Sequence, residues 1–376
     1  MRRWWHSRQT CSLAPADEFI DCTAGHVTPG VREMACRENQ GATSFDKAAE
    51  NLARLAQITL CGEQLRLIVE AEGRRVQAAQ QAATLDTAWT AKDCPVTCNG
   101  REISEKTRIY TGCDGVMVPI ITQAEKLKRR ATVKEQRRKC GKKRRSLPPL
   151  RPGADQGWKE FKVLYFYDEE LRHQHVAVTH QNHQAAGRLL RREANRLEFR
   201  QAGERIANVD GAPWIREQLE LHLAELDGLG LDFYHLSENV HRARRKVFGE
   251  ESPEGKTWTD DLLHTFKHEG YEAAWETLVQ WRAQLGRSSC KRKAADRLLK
   301  YVSKRQEMIR YPQFRSQGWQ IGSGPTEAQC KLTVGRLKGR SRRWDRPNAA
   351  AIAALDCLER SDQWQKYWQT RCQTAA

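Results

Sequence analysis

Between residues 105 and 240, the hydrophobic pattern alternates between the two-residue period of strands and the 3.6-residue period of helices. The predicted order is β-β-β-α-β-α-β, with strands at 108–119, 161–167, 175–179, 205–210 and 230–235. The helices lie at 183–199 and 214–226. Strands that follow one another directly favour antiparallel pairing, whereas strands separated by a helix favour parallel crossovers. The pattern therefore predicts an α/β fold with a mixed sheet.

Two helical regions flank this segment. Residues 1–104 form a predicted N-terminal region whose helices fall at about 44–80, with Ser44 as an N-cap. The spacing suits either a helix-turn-helix with 63–80 as its reading helix or an ordinary αα-hairpin. The core, 105–243, is followed by an all-helical insertion at 244–311 and by core completion at 312–376.

The chain carries 64 Lys and Arg against 47 Asp and Glu, a formal net charge of +17. Residues 124–151 are the most basic, with thirteen Lys or Arg and two Glu. Such a density of like charge predicts a mobile arm that contacts a polyanion, most often nucleic acid. We therefore predict DNA contacts from two basic segments: Lys126, Lys128, Arg129, Arg130, Arg137, Arg138, Lys142, Lys143, Arg144 and Arg145, and then Arg336, Lys338, Arg340, Arg342 and Arg343.

The sequence also excludes some classes of protein. It has no apolar run of about 18 residues, so a transmembrane helix is not expected, and no hydrophobic signal segment follows its first residues. A cytoplasmic protein with mostly free thiols is the expectation for its twelve Cys. Cys94 and Cys98 have the spacing of half a zinc site, but no second pair accompanies them.

Three acidic residues are candidates for catalysis because of where they fall. Asp114 lies in the first core strand, Asp210 ends the fourth, and Glu327 opens a helix after a glycine-rich loop. Two aspartates and a glutamate on this order of elements suit a ribonuclease-H-like layout, in which carboxylates hold divalent cations. Each acid also has an ordinary explanation, since Asp-Gly is common in turns and Glu favours the first turn of a helix.

The residues around these acids are more specific than the acids themselves. The stretches 113–119, 207–215, 231–236 and 321–331, together with 153–162, resemble DDE transposases of bacterial insertion sequences. The likeness is greatest to the Kra family, a relative of the Mutator-like group, and it covers about residues 40–360. It implies a transposase that cleaves the phosphodiester bonds at transposon ends and joins the 3′ ends to target DNA.

The same resemblance implies specific roles. Asp114, Asp210 and Glu327 would form the catalytic triad and bind Mg²⁺ or Mn²⁺, two ions per site. Asp232 and His235 match an Asp-x-x-His signature and would support the site. Double-stranded DNA would be the partner, and a homodimer or larger assembly would hold two DNA ends.

Two alternatives remain open at the level of sequence. One is another ribonuclease-H-like nuclease, such as a resolvase, that cuts without joining. The other is a decayed or truncated copy that binds DNA without cutting it, because the N-terminal region is short and poorly patterned for that family.

Overall fold

The structure is a computed structural model, and it describes residues 4–6, 11–13, 27–98, 101–140, 146–339 and 342–373. A short ribbon of β1 (Trp4–His6) and β2 (Cys11–Leu13) stands apart from the main sheet. No helix in the described ranges combines the length and apolarity needed to cross a membrane.

The main sheet has six strands: β3 (Pro95–Cys98), β4 (Arg101–Pro119), β5 (Trp158–Tyr167), β6 (Gln174–Thr179), β7 (Glu204–Val209) and β8 (Gly228–Leu231). Their order is β6-β5-β4-β7-β8, and β3 pairs with β4. β5 is antiparallel to β4 and to β6, whereas β4, β7 and β8 run parallel. This mixed sheet is compatible with a ribonuclease-H-like fold, and its strands agree with the predicted order.

The helices in chain order begin with α1 (Pro29–Gly41), α2 (Phe45–Leu55), α3 (Gly62–Gln81), α4 (Gln123–Lys139), α5 (His183–Arg196), α6 (Pro213–His222) and α7 (Phe233–Val247). Four more follow between residues 253 and 316: α8 (Pro253–His268), α9 (Tyr271–Gln284), α10 (Ser289–Ser303) and α11 (Tyr311–Ser316). The last three are α12 (Gly324–Thr333), α13 (Arg346–Arg360) and α14 (Trp364–Gln373).

Alternation along β5 divides the interior into two hydrophobic cores. Phe161, Val163 and Tyr165 face a core shared with α1–α3 and α12–α14, while Leu164 and Phe166 face a core shared with α5–α10. Successive side chains of a strand point to opposite faces, so one apolar strand serves both cores. Helices therefore cover the sheet on both sides, and the predicted insertion extends the second core.

The N-terminal helices pack into the first core. Ser44 caps α2 by accepting a hydrogen bond from the Lys47 backbone N at 3.0 Å, as the sequence predicted. Helix α3 lies so close to α13 that a Cβ atom on Gly73 would stand 2.8 Å from the carbonyl carbon of Ala351. This contact fixes α3 against α13, and the choice between a helix-turn-helix and an αα-hairpin stays a prediction.

The prediction of a mobile arm is wrong for the first half of the basic segment. Residues 123–139 form helix α4, which begins with a capping box between Thr122 and Glu125. Lys126 anchors the first turn, since its ammonium group donates to the carbonyl oxygens of Arg151 and Pro152 at 3.1 Å each. Lys, Arg, Gln and Ala favour helices, and most of these cations extend into solvent rather than against one another.

Candidate active site

Three aspartates lie at one level across the three parallel strands. Thr111 of β4 pairs with Ala207 of β7, so Asp114 and Asp210, each three residues further on, stand at the same height. Val209 pairs with Leu231 of β8, which sets Asp232 beside Asp210 in the same way. Asp210 and Asp232 follow the last residues of β7 and β8, whereas Asp114 lies within the longer β4. The strand register therefore places the three residues at one level across the sheet.

Asp114 is half-buried. Burial raises the pKa of its carboxyl, and the charges of Asp210 and Glu327 raise that pKa further, against a lowering by His235 and by the hydrogen bond from the Gly115 backbone N. That hydrogen bond to Asp114 Oδ1 measures 2.6 Å. The carboxyl of Asp114 is therefore harder to ionise than that of an exposed aspartate.

Asp210 follows the last residue of β7 and forms a turn. Its Oδ1 accepts a hydrogen bond from the Ala212 backbone N at 2.8 Å. Gly211, with φ of 77°, adopts the left-handed conformation that glycine accommodates without strain. The turn explanation offered by the sequence is thus correct for Asp210, and it also fixes the carboxylate at the edge of the sheet.

Glu327 reaches the site because α12 packs closely on β4. Gly112 has no side chain, and a Cβ atom there would overlap the side chain of Thr326. This contact lies two residues before Asp114 on the strand and one residue before Glu327 on the helix. Glycine at position 112 therefore lets the helix approach the strand that carries Asp114.

Asp232 joins the end of β8 to the loop that precedes Glu327. It is 1% exposed, and its Oδ1 accepts from the His235 backbone N at 2.9 Å as the N-cap of α7. Its Oδ2 accepts from both the backbone N and the hydroxyl of Ser323. Since the Glu327 backbone N donates to the Ser323 carbonyl oxygen at 3.0 Å, Asp232 anchors the first turn of α12.

His235 contacts Glu327 directly. Its Nε2 lies 3.2 Å from Glu327 Oε1, and its Nδ1 lies 3.8 Å from Glu238 Oε2. The carboxylate of Asp232 thus bonds to the backbone of His235, while the imidazole of His235 contacts Glu327.

Two of the predicted DNA contacts are contradicted by burial. Lys126 is 8% exposed, and besides its two carbonyl partners it forms an ion pair with Asp345. Arg336 is also 8% exposed; its guanidinium bonds to Asn39 and lies over the rings of both Phe45 and Trp344. Burial, with the nearby charge of Arg342, lowers the pKa of Arg336 to about 10. Both cations hold the fold together.

The remaining predicted cations differ in their surroundings. Lys128, Arg129, Arg138, Lys338 and Arg343 are exposed, while Arg130, Arg137 and Arg342 are half-buried. Arg343 pairs with Glu125 at 3.2 Å, and Arg130 donates to the Pro148 carbonyl oxygen at 2.6 Å. Lys142, Lys143, Arg144, Arg145 and Arg340 lie outside the described residues.

The donor set of the acids suits a hard cation, but its side chains stand apart. Three carboxylates supply only oxygen, which Mg²⁺ prefers. Within the described ranges, no three His, Cys, Asp or Glu side chains are grouped closely enough to hold a metal ion. Asp114 and Asp210 each bond a neighbouring backbone N, and Glu327 pairs with His235 and with Lys331, at 3.8 Å.

Of the two cysteines with zinc-site spacing, only the side chain of Cys94 is described. Cys94 is buried, and its thiol lies 3.8 Å from the Thr90 carbonyl oxygen as a weak donor. The side chain of Cys98 lies outside the described residues.

Sequence reasoning missed two groups near the acids. Arg305, which follows α10, donates from Nη2 to the Gly211 carbonyl oxygen at 2.8 Å, and Tyr301 stacks beneath it. Ser323, the partner of Asp232, was also missed. A serine within Gly322-Ser323-Gly324 was the available signal for the second, but nothing in the local sequence marks Arg305.

Comparisons with known proteins give little. No protein-family model matches this sequence, and no curated protein does, so the resemblance to the Kra family stays a prediction. Among solved structures, the strand transfer complex of the Drosophila P element transposase aligns over 94% of this chain and 84% of that chain. The identity is 10% and the TM-score 0.30, values at which the alignment decides neither function nor site.

Proposed function

We propose that this protein is a DNA transposase of the DDE type, which cleaves the ends of its element and joins the 3′ ends to target DNA. The observation that carries the proposal is geometric: strand register puts Asp114 and Asp210 at one level of the sheet, and α12, which carries Glu327, packs against β4 two residues before Asp114. Carboxylates in the same neighbourhood repel one another, and a bound cation would offset that repulsion.

In this proposal the three carboxylates would hold Mg²⁺ or Mn²⁺ at the edge of the sheet. Two such ions would supply stabilisation of the attacking and leaving oxygens of a phosphoryl displacement. Asp114 and Asp210 are fixed by strand register, and their carboxylates accept hydrogen bonds from the backbone N atoms of Gly115 and Ala212. Glu327 is oriented by His235, and Asp232 holds the loop from which Glu327 extends.

Affinity for DNA would come from the exposed cations. Those on α4, with Lys338 and Arg343, lie on the surface of a chain with net charge +17. Contacts between such side chains and phosphates release counterions and give affinity that falls with salt. Two ends must be held together for joining, so a homodimer or larger assembly on DNA belongs to the proposal.

The decisive experiment is a cleavage assay on labelled duplex carrying the end sequence of the element. We expect nicks at the end with Mg²⁺ and none with EDTA. Asp114→Asn, Asp210→Asn and Glu327→Gln should each lower cleavage at least 100-fold, because each removes a negative oxygen donor without changing shape. Glu238→Gln, next to His235 but outside the triad, is the matched control and should retain cleavage.

The products separate this proposal from the alternatives. Strand-transfer products on a target duplex support a transposase, whereas cleavage without joining supports a resolvase-like nuclease. Binding without cleavage supports a decayed copy. Cleavage that survives in Asp210→Asn would show that the triad is wrong. Light scattering of the protein on end DNA tests the assembly, and one chain per duplex would reject it.

A further inference from the structure

The segment that leaves the helical insertion folds back onto the ends of the catalytic strands. Arg305 donates to the carbonyl oxygen of Gly211, the residue after Asp210, and Tyr311 donates to the carbonyl oxygen of Leu231, the residue before Asp232, at 3.0 Å. The ring of Tyr311 also meets Phe233 edge-on at 5.3 Å. Residues 301–311 therefore form a wall beside two of the acids.

Arg305 is held in place without a carboxylate partner. Its Nη1 donates to the Tyr301 carbonyl oxygen at 3.1 Å, its Nη2 to Gly211, and its Cζ lies 4.0 Å from the centre of the Tyr301 ring. Within the described chain, the ion pairs include none for Arg305, and its buried Nε has no hydrogen-bond partner. Its positive charge is thus oriented but not neutralised by an acid.

Tyr301 reinforces this arrangement and adds a second unused donor. Its hydroxyl is buried and, among the described residues, has no hydrogen-bond partner. Burial raises the pKa of Tyr301 to about 12, with Arg305 opposing and Asp210, Asp232 and Glu238 contributing. The contribution of Tyr301 is the stacking of its ring on the Arg305 guanidinium.

The absence of a side chain at Gly211 lets the Arg305 side chain lie beside the residue that follows Asp210. A Cβ atom on Gly211 would meet the Arg305 side chain, with its Cδ at 3.0 Å. Glycine is therefore needed at position 211 both for the positive φ and for the approach of the guanidinium. The guanidinium is thus brought beside Asp210, where a positive charge would offset the repulsion between the acids and a polyanion.

We propose that Arg305, braced by Tyr301, binds a backbone phosphate of the DNA strand that enters the carboxylate edge beside Asp210. A guanidinium matches the geometry of phosphate oxygens, and stacking on an aromatic ring limits its rotation before binding. Tyr301 is a positioning residue for Arg305. This inference rests on the proposed function for the identity of the ligand as DNA.

The test measures binding without catalysis. The full-length protein is titrated with end duplex in EDTA over a range of salt concentrations, for wild type, Arg305→Gln and Arg305→Lys. We expect Arg305→Gln to bind about 10-fold more weakly and to lower the slope of log affinity against log salt by about 0.9, the value for one phosphate contact. Arg305→Lys should keep the slope and lose part of the affinity.

Arg292→Gln is the matched control. Arg292 lies in the first turn of α10, is exposed, and also donates to a carbonyl oxygen, that of Leu285 at 3.4 Å. The control has the same change in net charge but lies at the far end of the helix. Equal loss of affinity in both variants would overturn the proposal, because it would show a general charge effect.

Neutral linkages in the DNA complete the test. Methylphosphonates placed one at a time near the cleavage point should abolish the difference between wild type and Arg305→Gln at one position only. If wild type and Arg305→Gln differ in affinity with every modified duplex, the proposed phosphate contact is wrong. It is also wrong if Arg305→Gln unfolds at a lower temperature but binds DNA normally, because Arg305 then has only a structural role. Failure of cleavage in wild type would count against the proposed function and not against this phosphate contact.

Discussion

The imidazole of His235 lies 3.2 Å from the carboxylate of Glu327, and this contact joins the first turns of α7 and α12. The two residues approach from opposite sides of a junction that Asp232 holds through its own hydrogen bonds. His235 therefore orients the side chain of Glu327, whereas Asp232 holds its backbone through Ser323. Replacing His235 and replacing Asp232 should thus have different effects.

Replacing His235 should impair catalysis more than binding. In His235→Ala, Glu327 loses its orienting partner, and we expect cleavage of end DNA to fall about 10-fold, as removal of supporting residues does at metal sites. His235→Gln, which retains a donor, should recover part of the rate. Affinity for DNA should stay within twofold in both variants. Equal rates for Ala and wild type would contradict the orienting role.

Replacing Asp232 should impair stability. Asp232→Asn keeps one acceptor for the His235 backbone N but loses the carboxylate oxygen that accepts from Ser323, and we expect a cost of about 1–3 kcal/mol. Ser323→Ala removes only the hydroxyl donor and should cost less, about 1 kcal/mol. Urea unfolding of both variants checks this order, and a larger cost for Ser323→Ala would contradict it.

We expect the exposed cations of α4 to contribute to DNA binding and the buried one to contribute to stability. Lys128→Gln and Arg129→Gln, at exposed positions, should weaken DNA binding and flatten its salt dependence without changing stability. Lys126→Gln should do the reverse, lowering the free energy of unfolding by about 1–3 kcal/mol because it breaks buried hydrogen bonds. Unchanged stability in Lys126→Gln would show that α4 docks by other contacts.

Gly73 tests whether α3 belongs to the core. Gly73→Ala would force its Cβ atom into the backbone of Ala351, and we expect destabilisation of about 1–3 kcal/mol from overpacking. Gly30→Ala, in helix α1 with open space around its Cβ position, should instead be neutral or stabilising by up to about 1 kcal/mol. Thermal unfolding of the two variants tests this expectation. Equal changes in stability would argue against the close contact between α3 and α13.

Glu193 predicts a dependence of stability on acid pH. Burial opposes its ionisation, but the hydrogen bond and charge of His175, with Arg192 and Arg196, lower its pKa to about 2. Because the folded pKa lies below the unfolded value of 4.5, this stabilisation is present above about pH 4.5 and is lost as the pH falls towards 2. It amounts to roughly 3 kcal/mol. Glu193→Gln should remove that loss from urea unfolding curves collected between pH 5 and 2.5.

The sheet could be predicted from sequence because its signals are local. Strands such as 161–167 are apolar nearly throughout, and the helices between them show a clear 3.6-residue period. Parallel pairing of the strands that carry Asp114 and Asp210 could also be predicted. Their position at the same height could not, because the register of Thr111 with Ala207 depends on packing between distant segments.

Other features depended on tertiary contacts and were not predictable. Lys126 and Arg336 look like their exposed neighbours in sequence, and only their partners, Asp345 and Asn39, reveal that they are buried. The contact of Arg305 with Gly211 joins residues 94 positions apart. Helix α4 was missed because charge density was weighted above helix propensity.

The pairing of α3 with α13 also determines when the molecule can fold. Gln80 donates to the carbonyl oxygen of Ala354, a partner 274 residues later in the chain. At a synthesis rate of about 5–20 residues per second, α13 is synthesised roughly 15–55 seconds after α3. During that interval α3 lacks its contacts with α13 and can pack only on α1 and α2, which precede it in the chain. Synthesis of α13 is therefore the step that completes the first core.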